Sequence, residues 1–381
     1  MTQMRFTGGS VVVGAEVWPG IALDIENGRI VAAERLDTGG DGGGIDLAGG
    51  WLMPGFIDTQ VNGGGGVLFN DETSVEGIRA IGEAHARYGT TAFLPTLISD
   101  GPDRIVAAME ASDAAIAAGV PGVVGVHIEG PVLNPARKGI HDPAWFRPLD
   151  RELIDILVRP HRGTVMVTLA PERATPADIA TLVAAGVRVS AGHSEASYGE
   201  TLAALDAGMT GITHLFNAMP AMRQRDPGLA GAALDDARPW CGLIVDGVHV
   251  APAVLRVALR ARPVDRMMLV TDAMSSVGAA NKNFVLQGRA IEVRDGICFD
   301  ADGTLAGSDL DMAGAVARTV RELDVSPQRA AAMAATNPAA FLGQSAERGT
   351  IGAGLRADLV QLDAGFGAVA TWIGGQGTPR R

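Results

Sequence analysis

Apolar positions along this chain follow two different rhythms. From Ser10 to Leu36 (SVVVGAEVWPG, then IALDIENGRIVAAERL) apolar and polar residues alternate in short pieces broken at Gly, Asn and Asp. That is the period-two signature of half-buried antiparallel strands. The same texture returns near the C-terminus in GTIGAGLRADLVQLD, and residues 39–44, almost all glycine, read as a loop. Strand segments at opposite ends of a chain can pair. Residues 1–52 and 344–381 are therefore expected to form one small β-sandwich domain.

Between them the apolar runs are short, β-branched, continuous and bounded by glycine, as strands buried on both faces should be. Eight are expected, at residues 53–59, 91–96, 123–129, 165–170, 187–193, 211–217, 243–247 and 267–271. Segments rich in Ala, Leu, Arg and Glu lie between most of them, as at 74–88, 178–185 and 253–261, and read as helices. Eight strand–helix alternations over residues 53–343 predict an α/β fold, a (β/α)8 TIM-like barrel. A doubly wound open sheet would more often carry a glycine-rich nucleotide fingerprint after its first strand. Here that strand runs into Asp58-Thr59-Gln60-Val61-Asn62 and four glycines. After the eighth strand, NFVLQGRAIEVRDGICFDADGTLAGS alternates again and turns at Asp295-Gly296 and Asp302-Gly303. It predicts a β-hairpin insertion near 284–305.

Several polar residues sit where this frame gives packing no use for them. Glu129, His193, His214 and Asp272 close four of the apolar runs (GVVGVHIEGP, VRVSAGHS, GITHLFNAM, MLVTDAM). Strand ends converge on one mouth of a parallel barrel, where catalytic groups lie. One carboxylate and two imidazoles make a zinc-type ligand set, and an Asp beside them is a candidate general base. A single His in an apolar run is more often a satisfied core residue; three such groups at strand ends together favour a site. His141, on the loop after the third strand, is either exposed or placed to polarise a carbonyl oxygen, and His249 after the seventh has the same two readings. Arg225, in MRQRDPG after His214, is by default a solvated residue, but an arginine there could bind an anionic group. His85 and His161 are given no role.

Bulk properties narrow the partners. A formal net charge of −12 argues against a nucleic-acid or anionic-membrane binder, though not against a small anion in a local cationic pocket. The two cysteines, Cys241 and Cys298, have no CxxC spacing and fit a reducing, cytoplasmic setting rather than a disulfide framework. Neither a signal peptide nor a membrane span is expected. The lysines, Lys138 and Lys282, lie outside the strands, which rules out a bridging carboxylated lysine.

These residues carry a resemblance. The segments PGFIDTQVNGGGG, GVHIEGPVLNPARKGIH, SAGHSEA, THLFNAMPAMRQRDPGLAGAAL, DGVHVAP, LVTDAM, GTLAGS, NPAAFLG and GLRADLV together resemble the N-acetylglucosamine-6-phosphate deacetylase family of the amidohydrolase superfamily, nearly end to end. The resemblance implies that Glu129, His193 and His214 are metal ligands, that Asp272 is the catalytic acid and base, and that His141 polarises the acetamide carbonyl. It implies sugar-phosphate contacts from Asn217, Ala218, Arg225 and His249, and closure over the sugar by Leu305, Ala306 and Gly307. It further implies a homodimer or higher homo-oligomer, with part of the phosphate site supplied by a second subunit.

One departure is informative. Many amidohydrolases carry His-x-His after strand one, where a second metal binds; here the positions are Gln60 and Asn62. Amide oxygens are weak ligands, so one divalent metal ion per subunit is expected, Zn2+ first, with Fe2+, Mn2+ and Co2+ accepting the same donors. The expected reaction is deacetylation of N-acetyl-D-glucosamine 6-phosphate. Alternatives are the galactosamine epimer, another amidohydrolase reaction at a C–N bond, and a catalytically silent barrel. Deaminases and dihydropyrimidinases usually need His-x-His or the carboxylated lysine, and a silent barrel would be expected to have lost part of the set.

Overall fold

A computed structural model describes residues 2–37 and 44–378; residues 39–43 of the expected glycine loop lie outside the described residues. Eight parallel strands follow one another around a barrel: β1 (Phe56–Val61), β2 (Thr90–Ile98), β3 (Gly125–Glu129), β4 (Thr164–Leu169), β5 (Arg188–Ala191), β6 (Gly211–Ile212), β7 (Trp240–Leu243) and β8 (Met267–Leu269). The ring closes through a parallel bridge between Val61 and Ala273, with Asp272 N–H donating to Gln60 O at 3.0 Å and Asn62 N–H to Ala273 O at 2.9 Å. Eight helices alternate with the strands: α1 (Val75–Ala86), α2 (Pro102–Ala117), α3 (Arg151–Leu157), α4 (Pro176–Ala184), α5 (Tyr198–Asp206), α6 (Gly228–Asp235), α7 (Pro252–Ala261) and α8 (Met312–Leu323). Their starts are written locally. Ser74, Asp150 and Asp311 cap α1, α3 and α8, and Thr175 with Asp178 and Ser197 with Glu200 close capping boxes on α4 and α5.

Period-two alternation layers the barrel interior. At the bottom Ile57, Ala92, Leu94, Met166 and Met268 pack on Phe341 and Leu342. Two residues along from Leu94 and Met166 come Thr96 and Thr168. His127 bridges them at 3.2 and 2.7 Å, and Thr168, Thr213 and Ser190 continue the chain at 2.7 Å each. Two residues beyond His127 is Glu129, at the mouth. Each buried polar group in this layer therefore has a partner, which keeps desolvation from counting against the fold.

Both chain ends build the second, sheet-rich domain. Ser10–Val13, Glu16–Trp18, Trp51–Pro54, Leu359–Leu362, Ala368–Ile373 and Gln376–Gly377 form a six-stranded sheet; Thr2–Thr7, Ile21–Glu26, Arg29–Arg35 and Ile45–Asp46 form a four-stranded one. Phe6, Leu23, Ile30, Leu52, Leu359 and Trp372 belong to one shared core, with the Phe6 and Trp372 rings edge-on at 5.4 Å.

The expected strand at 53–59 is in fact two. Trp51–Pro54 pairs with Leu359–Leu362 in the second domain, and β1 starts at Phe56. Gly55 is the joint, since a Cβ there would lie 2.3 Å from Thr91. The sixth run keeps only Gly211–Ile212 as strand, because His214, Phe216 and Ala218 turn the chain with positive φ. The seventh strand lies earlier than expected, at Trp240–Leu243. The insertion is larger than a hairpin: Phe284–Leu286, Arg289–Arg294, Ile297–Phe299 and Leu305–Ser308 make a four-stranded antiparallel meander. Its last strand bridges Ala273 through Ser308 and so reaches the mouth. Among the described residues no helix is long and apolar enough to cross a membrane.

Candidate active site

Three strand-end residues reach the mouth from a left-handed backbone: His193 at φ 50°, His214 at φ 33° and Asp272 at φ 53°. Such conformations are uncommon outside glycine and cluster at functional sites, because the surroundings must hold them. Here close packing does so. Gly192 precedes His193, and a Cβ on it would lie 2.7 Å from Thr168 Cγ2; Gly130, after Glu129 and at φ 87°, would collide with Ser99 Oγ at 2.2 Å.

Glu129, His193 and His214 are buried and offer ligand atoms that all lie within 4.8 Å of one another. Glu129 Oε1 is 3.4 Å from His193 Nε2 and 3.1 Å from His214 Nε2, and the two Nε2 atoms are 3.1 Å apart. His193 Nδ1 donates to Arg137 O at 2.8 Å, so its Nε2 carries a lone pair. A carboxylate oxygen and an imidazole lone pair that face each other across a buried gap repel unless a positive centre sits between them. With no thiolate nearby, one O and two N donors fit a divalent cation of the zinc type. Burial would raise the Glu129 carboxyl, but the positive charge that the facing His193 and His214 rings take up when protonated outweighs it and holds its pKa well below the usual range. For His214, burial would lower the pKa, and the Glu129 hydrogen bond overcomes this and raises it.

Asp272 stands beside this group. Burial, and next the Glu129 charge, raise its pKa to about 6. Its Oδ1 accepts from Asn62 Nδ2 at 2.7 Å and Gln60 Nε2 at 3.1 Å, and Gln60 Nε2 also lies 3.2 Å from Glu129 Oε1. From the sequence, Gln60 and Asn62 are only poor metal ligands through their amide oxygens. The geometry uses their nitrogens, as donors to the carboxylates.

His141 lies inside the mouth, 2 % exposed, so it is not the exposed loop residue of the first reading. The Ser99 backbone N–H donates to its Nδ1 at 3.3 Å and Ser99 Oγ lies 2.8 Å from the same atom. Nδ1 is thus the acceptor, and the neutral ring carries its proton on Nε2. Burial, then the charge of His193, push its pKa down to about 3, so at neutral pH it is a hydrogen-bond donor without being a cation. His249 also lines the mouth, with Nδ1 2.6 Å from Asp246 Oδ2. Asp246 accepts the Val248 and His249 backbone N–H groups at 2.9 Å each, which fixes the loop and the ring. The Asp246-x-x-His249 spacing is a signal that sequence reasoning passed over.

A cavity of about 370 Å3 joins Glu129, His141, His193, His214, His249 and Asp272, with Asn217, Ala218, Leu305 and Gly307 also lining it. Ala306 is fully buried beside them. Arg225 is exposed on the turn closed by Arg223 and Asp226, outside this lining. A larger cleft of about 690 Å3, lined by Arg87, Asp311, Arg321 and Asp363, holds no comparable cluster of donor atoms among the described residues, so chemistry rather than volume selects the mouth. His85 and His161 are spent on the backbone carbonyls of Gly63 and Met109, at 2.8 and 3.1 Å.

Known proteins match this chain throughout. The model of the amidohydrolase family matches residues 51–376. An N-acetylgalactosamine-6-phosphate deacetylase of Shewanella sp. (strain ANA-3) is 43% identical over 87% of this chain and 84% of its own length. The human N-acetylglucosamine-6-phosphate deacetylase is 35% identical over 98% of this chain and 94% of its own. Among solved structures, the N-acetylglucosamine-6-phosphate deacetylase of Pasteurella multocida superposes with a TM-score of 0.94 at 32% identity, and a Mycobacterium smegmatis variant in complex with N-acetyl-D-glucosamine-6-phosphate with 0.91 at 34%, each over 100% of both chains.

Proposed function

This chain belongs to the amidohydrolase family, and we propose that it hydrolyses N-acetyl-D-glucosamine 6-phosphate to D-glucosamine 6-phosphate and acetate. The observation that carries the reading is the meeting, in one cavity, of a Glu129/His193/His214 donor set, the carboxylate of Asp272 and a neutral His141 with its proton on Nε2. The relatives named as deacetylases of acetylated amino-sugar phosphates support the substrate class.

Glu129, His193 and His214 would hold the cation, with Zn2+ proposed and Fe2+, Mn2+ or Co2+ accepting the same donors. When bound it supplies Lewis-acid chemistry, making a water acidic near neutral pH. Asp272 Oδ2 takes a proton from the attacking water, while Oδ1 stays held by Asn62 and Gln60. His141 Nε2–H donates to the acetamide oxygen as negative charge develops there, a contribution typically worth about 3–4 kcal/mol. Asp272 returns its proton to the departing nitrogen, which is too basic to leave as an anion. Asn217, Ala218 and the Leu305-Ala306-Gly307 strand position the sugar. His249, fixed by Asp246, takes the phosphate with Arg225; since Arg225 stands outside the lining, we place it at the phosphate across the interface of a homodimer or larger homo-oligomer. A cytoplasmic setting belongs to the same proposal, in keeping with two buried free thiols, Cys241 and Cys298.

A second reading, the galactosamine epimer, is favoured by the 43% identical Shewanella relative. Acetate release measured on both 6-phosphorylated N-acetylhexosamines and on their free sugars, with metal content determined on the same sample, tests both. Fastest release from the glucosamine compound is expected. A preference for the galactosamine compound would transfer the assignment to the epimer, and release from neither would end both readings.

A further inference from the structure

The elements around His193 are tied together by one carboxylate that takes no part in the chemistry above. Glu172 lies on the turn Pro171–Arg173 after β4. Its Oε1 accepts from Asn134 Nδ2 at 2.9 Å and from the Glu195 backbone N–H at 2.6 Å; its Oε2 accepts from Ser194 Oγ at 2.7 Å. Two loops thereby meet on one side chain. The first is the loop after β3, where Asn134 caps the turn Pro135–Arg137. That turn presents the Arg137 carbonyl to His193 Nδ1–H, and Asn134 N–H donates to His193 O at 2.9 Å. The second is the segment directly after His193, whose Ser194 N–H donates to Ala218 O at 3.1 Å on the loop after β6.

His193 sits between these loops with a left-handed backbone that they must maintain. A ligand imidazole is useful only if ring plane and tautomer are set before the ion arrives, and residues that fix both are worth much of a site's affinity. We infer that Glu172 is a positioning residue for His193, and that through Asn134, Ser194 and Glu195 it sets the affinity of the Glu129/His193/His214 site for a divalent cation. The inference rests on the metal-site reading made above.

The test uses the full-length protein stripped of metal, with Zn2+ as the probe and a chromophoric chelator as competitor. Glu172→Gln keeps an acceptor oxygen but turns an N–H toward the Ser194 hydroxyl. Its zinc dissociation constant should rise by roughly 10- to 100-fold, with the thermal midpoint of the metal-free protein little changed. Activity lost by the variant should return with excess Zn2+. Ser194→Ala, which removes one donor only, should weaken zinc in the same direction by a smaller factor, and serves if Glu172→Gln does not fold. Zinc affinity within about threefold of wild type in both variants would overturn the inference. So would a lowered metal-free thermal midpoint with unchanged affinity, the mark of a purely structural role. If wild type itself binds no zinc, the metal-site reading fails with it; if wild type binds and the variants match it, this inference alone fails.

Discussion

Asn62 Nδ2 donates to Asp272 Oδ1 at 2.7 Å, joining the end of β1 to the end of β8 where the barrel closes. Gln60 Nε2 adds a second bond to the same oxygen. One oxygen of the proposed base is thus anchored and the other is left for water. Asn62→Ala should lower kcat by roughly 10- to 100-fold with little change in KM, since a hydrogen bond to a charged group is worth about 1.5–3 kcal/mol. Steady-state kinetics decides it; an unchanged kcat would mean the anchor does not matter to turnover.

His193→Ala removes one of three donor atoms and the imidazole that Arg137 O orients. The purified variant should carry substoichiometric metal, read by elemental analysis, and lose activity that added Zn2+ restores poorly. Full metal content would remove His193 from the ligand set.

Arg225 is exposed and outside the cavity lining. If it meets the phosphate across a subunit interface, Arg225→Ala should raise KM for the phosphorylated sugar far more than for free N-acetylglucosamine. Mixing Arg225→Ala chains with inactive Asp272→Asn chains should recover activity in the hybrid oligomer. Equal losses on both sugars would place the phosphate elsewhere, and no recovery would mean that Arg225 does not act across the subunit interface.

Asp58, under the mouth, gives a pH dependence of stability. Burial raises its pKa from 3.8 to about 7, against the hydrogen bond from Thr271 Oγ1. A carboxyl raised in the folded state holds its proton longer there than in the unfolded chain. Its contribution is fully present below pH 3.8 and is lost as pH rises through about 7. In metal-free protein, Asp58→Asn should therefore stabilise relative to wild type more at pH 8 than at pH 5, by an amount on the order of 2–4 kcal/mol. Denaturant titrations at the two pH values measure it, and an equal offset at both would contradict the assignment.

The strand ends were legible because a carboxylate or imidazole closing an apolar run has no packing role, and Glu129, His193, His214 and Asp272 do converge. Other features were not. A run buried on both faces shows no alternation, so the break at Gly55 stayed hidden until Thr91 stood against it. The amide nitrogens of Gln60 and Asn62 are aimed by a partner more than two hundred residues away, a relation set by barrel closure and written in no local pattern. Glu172 reads as an ordinary turn acid until the loops after β3 and β5 fold onto it. The left-handed turns at His193, His214 and Asp272 are likewise held by packing, since His and Asp tolerate that backbone better than most residues but adopt it only in a small minority of positions.

In the proposed acetamide hydrolysis Asp272 moves the proton between water and amine. Asp272→Asn keeps an oxygen for Asn62 and Gln60 while removing the base. Acetate release from N-acetyl-D-glucosamine 6-phosphate, measured beside bound metal and substrate affinity, should show metal and affinity retained and turnover reduced by about 10²- to 10⁴-fold. Turnover within about tenfold of wild type at full metal occupancy would contradict the account.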